Sequence, residues 1–192
     1  MKITLIRHGK TQGNINREYI GKTDQPLCDI GVEEIEKKIN QYPNADIVFS
    51  SPLIRCIKTA GLIYKNLVPI VKKDIKECDF GDFEGKSYEA LKDNADYKRS
   101  IDSDFIIPFP NGEDFLEFKK RCQNEFFNIV EQAIGLGAKN ISIVAHGGTI
   151  MSILSKISYP NKDFYSWQAK NACGYVFDYD VELKRAENIE EL

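Results

Sequence analysis

The chain has 192 residues, 42% of them hydrophobic and 29% charged, and its formal net charge is −3. That length suits one domain with a sizeable core, and the acidic balance argues against a nucleic-acid surface, so any anion site must be a local concentration of positive charge. No apolar run is long enough to span a bilayer, and Met1-Lys2-Ile3-Thr4 leads into a strand without the h-region of a signal peptide, so no membrane partner is expected. The five cysteines (Cys28, Cys56, Cys78, Cys122 and Cys173) are scattered and form no C-x-x-C pair. That pattern suits reduced thiols in a cytoplasm better than a disulfide framework or a zinc site.

In chain order, the short apolar run Ile3 to Ile6 predicts a buried strand, cut off by Arg7-His8-Gly9. A polar loop, 14–25, carries Gly21 and closes at Pro26. The spacing of Ile30, Val32, Ile35 and Ile39 predicts a helix over 29–42, stopped by Pro43-Asn44. Residues 46–49 read as a strand. Ser50-Ser51-Pro52 then predicts a helix over 53–67, capped by a serine, with Arg55 in its first turn beside free helix N–H groups that could face the same anion. Residues 68–72 read as a further strand. The loop from Ile75 to Gly85 carries Glu77, Asp79, Asp82 and Glu84, and Ser87 is placed to cap a short helix to about Asn94.

The stretch 97–111, with Pro108 and Pro110, shows no clear periodicity, and its aromatics favour a packed lid. Phe115, Phe118, Cys122, Phe126, Ile129, Val130 and Ala133 share one face of a helix expected over 113–134 and ended by Gly135 and Gly137. A strand to Ala145 passes through His146-Gly147-Gly148 into a helix ending near Ser158. Residues 176–179 suit a strand, while 185–192 are too polar to assign. The alternation of strand and helix argues for an α/β fold with a mostly parallel sheet covered on both faces. No linker divides residues 1–192, which read as one domain with a lid-like insertion around 77–112. Nothing in the sequence specifies an oligomeric state.

In open α/β sheets, ligands gather beyond the carboxyl ends of the strands. Arg7, His8, Arg55, Glu77 and His146 all fall at such ends or a little after them, and His8 and His146 are the only histidines in the chain. A lone histidine there is more often structural; two in matching positions point to one shared site. Two arginines offer forked donors to a tetrahedral anion, most naturally a phosphate. A neutral imidazole is a competent nucleophile toward phosphorus, and a carboxyl can protonate the leaving oxygen and then activate water. This set needs no metal and no cofactor. Two other readings stay open: a metal hydrolase using His8, His146 and nearby acids, and a binding module for phosphorylated ligands that lacks a proton donor.

Leu5-Ile6-Arg7-His8-Gly9 resembles the signature of the histidine phosphatase superfamily, the group that includes cofactor-dependent phosphoglycerate mutase. Further segments follow in the family order: Gly21-Lys22-Thr23-Asp24-Gln25-Pro26-Leu27, Ser50-Ser51-Pro52-Leu53-Ile54-Arg55 with Lys58-Thr59-Ala60, Glu77 to Gly85, Asn111-Gly112-Glu113, and Val144 to Gly148. The resemblance implies a phosphoglycerate-mutase-like three-layer sandwich and a small phosphate ester as substrate. It implies that His8 is the phosphorylated nucleophile and that Arg7, Arg55 and His146 hold the phosphoryl oxygens. Asn14 matches the family asparagine near the phosphate, Glu77 rather than Glu84 takes the proton-donor position, and the Gly147 N–H adds a donor. Lys10, Cys28, Phe83 and Asp114 depart from the usual pattern; with Cys28 in place of a threonine, the cap of the following helix is expected to pass to Asp29. The mutase E-R-x-Y-G element is absent, which favours a phosphatase. The F-G-D-F-E loop, Asn111 to Phe115 and Asn171-Ala172-Cys173 resemble the α-ribazole phosphatases of cobalamin assembly, while a broad-specificity phosphatase or a mutase of the same superfamily remains the alternative. Of Phe80, Phe83, Tyr88, Phe109 and Trp167, only a minority is expected to line a substrate pocket.

Overall fold

The structure, a computed structural model, describes residues 1–103 and 107–192. Strands β1 (Lys2–Arg7), β2 (Ile47–Ser50), β3 (Ile70–Val71), β4 (Asn140–Ala145), β5 (Gly174–Asp180) and β6 (Arg185–Glu191) form one six-stranded sheet in the order β3-β2-β4-β1-β5-β6. The pairs β3-β2, β2-β4 and β4-β1 are parallel, whereas β5 pairs antiparallel with both β1 and β6. The register sets Arg7 opposite Ala145, so His8 and His146 leave the sheet side by side.

Alternation along the central strands explains why both faces are covered. Ile3, Leu5, Phe49, Ile141 and Ile143 enter one core with Phe126 and Ile129 of α6 (Phe115–Gly135) and Ile150 and Ile153 of α7 (Gly147–Ile157). Ile6, Val48 and Val144 enter another, with Ile35 of α2 (Asp29–Lys37) and Cys56 and Ala60 of α3 (Ile54–Ile63). A third, smaller core joins Cys78, Phe83 and Phe109 to Phe118 and Cys122 of α6, and takes Leu91 from α4 (Tyr88–Leu91) and Tyr97 from α5 (Ala95–Asp102). The short helix α1 (Gln12–Ile15) follows the first strand, closed by a capping box between Thr11 and Asn14.

Several boundaries differ from those expected. The helix expected over 29–42 ends at Lys37, and a separate 3₁₀ turn spans Ile39–Gln41. Its N-cap is Cys28, with no side-chain cap bond, and Asp29 lies inside the first turn. α3 stops at Ile63 because Tyr64 leaves helical geometry, its hydroxyl donating to the Pro43 carbonyl (3.2 Å). β3 is only two residues long, and Val68 is 90% exposed. The stretch 97–111 is not irregular throughout, since α5 occupies its first part. Asn94 caps that helix by accepting from the Tyr97 N–H (2.9 Å), and Tyr97 and Ser100 are buried one turn apart. Residues 104–106, in the middle of the expected lid, lie outside the described residues. α6 begins after Asp114, whose carboxylate accepts from the Leu116 (2.8 Å) and Glu117 (3.0 Å) N–H groups. Its C-cap is Leu136, with Gly135 still helical and Gly137 in the left-handed region (φ 74°). The tail forms β6, and its polar sequence suits an edge strand.

Candidate active site

Backbone contacts hold the turn after β1 from several sides. The His8 N–H donates to the Ala145 carbonyl (3.0 Å) and the Ala172 N–H donates to the Arg7 and His8 carbonyls (3.1 and 3.2 Å). The Gly9 N–H donates to Thr59 Oγ1 (3.0 Å) and Asn171 Nδ2 donates to the His8 carbonyl (3.0 Å). His8 Nδ1 lies 2.7 Å from the Gly9 carbonyl, which can only accept. Nδ1 therefore carries the proton and Nε2 keeps its lone pair. Burial, then the charges of Arg55 and Arg7, hold the His8 imidazole well below its ordinary pKa, so it is neutral.

His146, the N-cap of α7, lies with its ring centroid 5.2 Å from that of His8 and its plane at 65°. Arg55 Nε donates to His146 Nδ1 (3.3 Å), which assigns the ring proton to Nε2 and lets it donate to Ser51 Oγ (2.7 Å). Its pKa too is held well below the ordinary value, first by burial and then by Arg55 and His8. Arg55 is completely buried. Its Nη1 donates to the Thr23 carbonyl (2.8 Å) and its Nη2 to the Gly21 carbonyl (2.8 Å).

The α3 N-terminus differs from expectation in two ways. No serine caps it: the N-cap is Leu53, without a side-chain cap bond. Nor is the Ile54 N–H of its first turn free, because it donates to Asp24 Oδ1 (2.8 Å). The loop that carries Asp24 is in turn held by Glu84, whose carboxylate accepts from the Gly21 (3.0 Å), Lys22 (3.0 Å) and Thr23 (3.3 Å) N–H groups and from the Thr23 hydroxyl (2.6 Å). Gly21 is required there, because a Cβ would meet the Cys78 carbonyl oxygen at 1.8 Å.

Glu77 reaches the site from the loop after β3. Oε2 accepts from the Gly148 N–H (3.0 Å) and Oε1 from the Cys78 N–H (3.1 Å). Burial raises its pKa above the ordinary carboxyl value, against the opposing pull of those two N–H groups and of Arg55 and Arg7. Arg7 Nη1 donates to the Ala169 carbonyl (2.7 Å), and its Nε is buried without a partner. Asn14 Oδ1 accepts from the Thr11 N–H and from Asn171 Nδ2 (both 3.1 Å), which leaves its amide NH₂ as the outward donor.

A cavity of about 380 Å³ collects Arg7, His8, Asn14, Glu77 and Gly147 at its walls. Arg55 and His146 are wholly buried and do not line it; they stand behind His8 with their nitrogens turned to protein partners. The rest of the wall is largely aromatic, including Tyr19, Phe80, Phe109, Phe115, Phe118 and Phe164. Of the five aromatics singled out from the sequence, Phe80 and Phe109 line the cavity, Phe83 and Trp167 are core, and Tyr88 is 57% exposed. Arg7 is the sole cation among the described residues lining this cavity, which Glu18 and Glu77 also line. Lys10 does not reach it; it pairs with Glu34 (2.5 Å) in a neighbouring hollow. Among the described residues no group of three or more His, Cys, Asp or Glu side chains comes together to hold a metal ion.

The sequence assigned Asn171, Thr59, Ser51 and Tyr19 no part in holding the two histidines or the cavity wall. Their contacts span 50 to 163 residues in sequence, so no local spacing reveals them.

This geometry belongs to a known class. Residues 3–191 match the histidine phosphatase superfamily (branch 1), and the chain is a member of it. Among particular relatives, the uncharacterized phosphatase PhoE of Bacillus subtilis (strain 168) is 35% identical over 97% of this chain and 92% of its own length. The adenosylcobalamin/alpha-ribazole phosphatase of Escherichia coli (strain K12) is 26% identical over 95% of this chain and 92% of its own. The crystal structure of the alpha-ribazole phosphatase from Shigella flexneri superposes with a TM-score of 0.81 at 26% identity, covering 97% of this chain and 93% of that one.

Proposed function

We propose that the protein is a metal-independent phosphomonoesterase that works through a phosphohistidine on His8. The observation that carries this is the Gly9 carbonyl on His8 Nδ1, which leaves Nε2 as an unprotonated nucleophile in a cavity that Arg7 also lines. In the first step Nε2 attacks phosphorus, the bond to the leaving oxygen breaks, and the Glu77 carboxyl supplies a proton to that oxygen. In the second, Glu77 takes a proton from water, the water oxygen attacks phosphorus, and the N–P bond breaks to release phosphate. Arg7, the Asn14 amide and the Gly147 N–H meet the phosphoryl oxygens, while Arg55 stabilises their charge from behind His8 and the neutral His146 holds Arg55 in place through Nε. The reading treats residues 1–192 as one domain with 77–112 as its lid-like insertion, supported by the small third core under that segment.

Acid-stable trapping is unsuitable for a phosphohistidine, so the test is an alkaline quench during turnover followed by peptide mass spectrometry. A phosphoryl adduct on the His8 peptide, together with loss of turnover in His8→Ala and full activity in EDTA, is expected. Turnover without the adduct, or abolition by EDTA, overturns the mechanism.

The finer reading of the substrate is α-ribazole 5′-phosphate. The aromatic wall suits a dimethylbenzimidazole base, and the Escherichia coli and Shigella relatives carry that name. A broad-specificity phosphatase is the second reading, because the same wall makes few directed polar contacts. A kcat/KM for α-ribazole 5′-phosphate far above that for an aryl phosphate separates the two; comparable values favour the second. All five cysteines are free, which supports a cytoplasmic setting. No helix among the described residues is long and apolar enough to cross a membrane.

A further inference from the structure

We propose that a second hollow beside the catalytic cavity binds a small polyanion with two phosphate-like groups, and that it does so while substrate is bound. The hollow has a volume of about 630 Å³ and shares Arg7, Gln168 and Ala169 with the catalytic cavity. Besides Arg7, it is lined by Lys10, Lys37, Lys38 and Lys170, with Glu34 as its one carboxylate among the described residues.

Internal pairing leaves much of that charge uncompensated. Lys10 takes Glu34 (2.5 Å), and Lys37 reaches Glu33 outside the hollow at 3.5 Å. Lys38 Nζ has Cys173 Sγ at 2.8 Å, a weak acceptor, and no described carboxylate pairs with Lys170. Lysines at the end of α2 answer the helix dipole, which accounts for Lys37 and Lys38. It does not account for Lys10, on the turn after β1, or Lys170, on the loop before β5. In a chain of net charge −3, this convergence of cations from three segments is a local exception. Ammonium groups are point charges without a fixed fork, so they suit several spread phosphate oxygens rather than one planar carboxylate.

The shared wall couples the two sites. The Ala169 carbonyl accepts from Arg7 Nη1, and Ala172 and Asn171 donate to the carbonyl of His8. An anion in the second hollow draws on the same Arg7 charge that meets the phosphoryl group, so it weakens substrate binding without excluding substrate.

The probe is methylenediphosphonate, which cannot be hydrolysed, and the variant is Lys37→Gln/Lys38→Gln/Lys170→Gln, checked for an unchanged thermal melt. Calorimetry is expected to show binding to the wild type that weakens about tenfold or more in the variant and with added salt. With 4-nitrophenyl phosphate, KM is expected to rise severalfold and then level off as the diphosphonate saturates, with the effect lost in the variant and its basal kcat/KM kept. Inhibition that runs to zero velocity by competition, binding that persists in the variant, or no binding to the wild type each overturns the proposal. The calorimetry does not depend on turnover, so failure of the phosphatase mechanism is distinguishable from failure of this site.

Discussion

Glu77 holds two backbone N–H donors and still has a raised pKa, because desolvation outweighs them. In the proposed mechanism Glu77 must arrive protonated to serve the leaving oxygen, and that balance favours it. Glu77→Gln is expected to lower kcat/KM, which reports phosphoryl transfer to His8, by about 10²–10⁴-fold for alkyl phosphates, and by much less for 4-nitrophenyl phosphate, whose phenolate leaves without a proton. The later step, in which Glu77 activates water, is common to both esters. The alkaline limb of the wild-type pH profile, set by Glu77 losing its proton, disappears in the variant. Equal losses for the two leaving groups would remove Glu77 from proton donation. The two imidazoles make an independent prediction. Both have native pKa values depressed below 6.5, so under more acidic conditions the unfolded chain takes up protons that the native state does not. Their stabilising contribution is complete above pH 6.5 and is lost as pH falls toward the native values, at about 1.4 kcal/mol per pH unit for each histidine. The raised carboxyl of Glu77 acts in the opposite sense, and a single carboxyl offsets at most one of the two. The urea midpoint is therefore expected to fall between pH 6.5 and 5.5, with a smaller fall in His8→Gln; a midpoint flat with pH would mean that an imidazole is charged in the native state. His8, Arg7 and Glu77 were legible because each ends or follows a strand. The locking of His8 by Asn171 was not, since its contact spans 163 residues.

The helices do more than cover the sheet; their ends aim the chemistry. α7 starts at Gly147, and its first turn turns the Gly148 N–H onto Glu77. A Cβ at Gly148 would lie 2.4 Å from Glu77 Oε1 and 3.0 Å from the Phe118 ring, so the carboxylate must shift. Alanine is otherwise favoured over glycine in a helix, by about 1 kcal/mol. Gly148→Ala is thus expected to copy the kinetic defect of Glu77→Gln, including its dependence on the leaving group, with little change in Tm. A large fall in Tm with unaltered leaving-group dependence would place the requirement in packing instead. The same logic runs through Glu84, the 21–23 loop, Arg55 and His146, each holding the next. Strong elements such as β1, β4 and α6 were readable from periodicity. α5 was missed because its two buried positions, Tyr97 and Ser100, include a polar one. β6 was missed because an edge strand pairs through its backbone while its side chains stay in water.

In the proposed phosphatase, charge and shape across the molecule set which phosphate esters are preferred. The catalytic cavity is assembled from segments as distant as Tyr19 and Phe164, and its aromatic wall could not be read from any one of them. α5 contributes directly: the Tyr19 and Tyr97 hydroxyls are hydrogen-bonded at 2.6 Å, so this helix braces a wall of the cavity. The phosphoryl group claims Arg7, the sole cation among the described lining residues, and Glu18 adds negative charge to the same lining. A leaving group that carries its own carboxylate, as in 3-phosphoglycerate, must then desolvate that charge against aromatic rings without a cationic partner. Leaving such a group unpaired costs about 1–3 kcal/mol or more. An aryl or arylalkyl leaving group instead gains from burial against the rings, about 25 cal/mol for each Å² of apolar surface covered. Together these terms predict a kcat/KM for 2-phenylethyl phosphate at least about 10–100-fold above that for 3-phosphoglycerate. The two esters have similarly poor alkoxide leaving groups, so their ratio reads recognition rather than chemistry. Raising salt should leave that ratio nearly unchanged, because the penalty comes from desolvation inside the cavity and not from long-range repulsion. Equal kcat/KM values for the two would mean that a cation reaches the leaving group during turnover, and the aromatic wall would no longer account for selectivity.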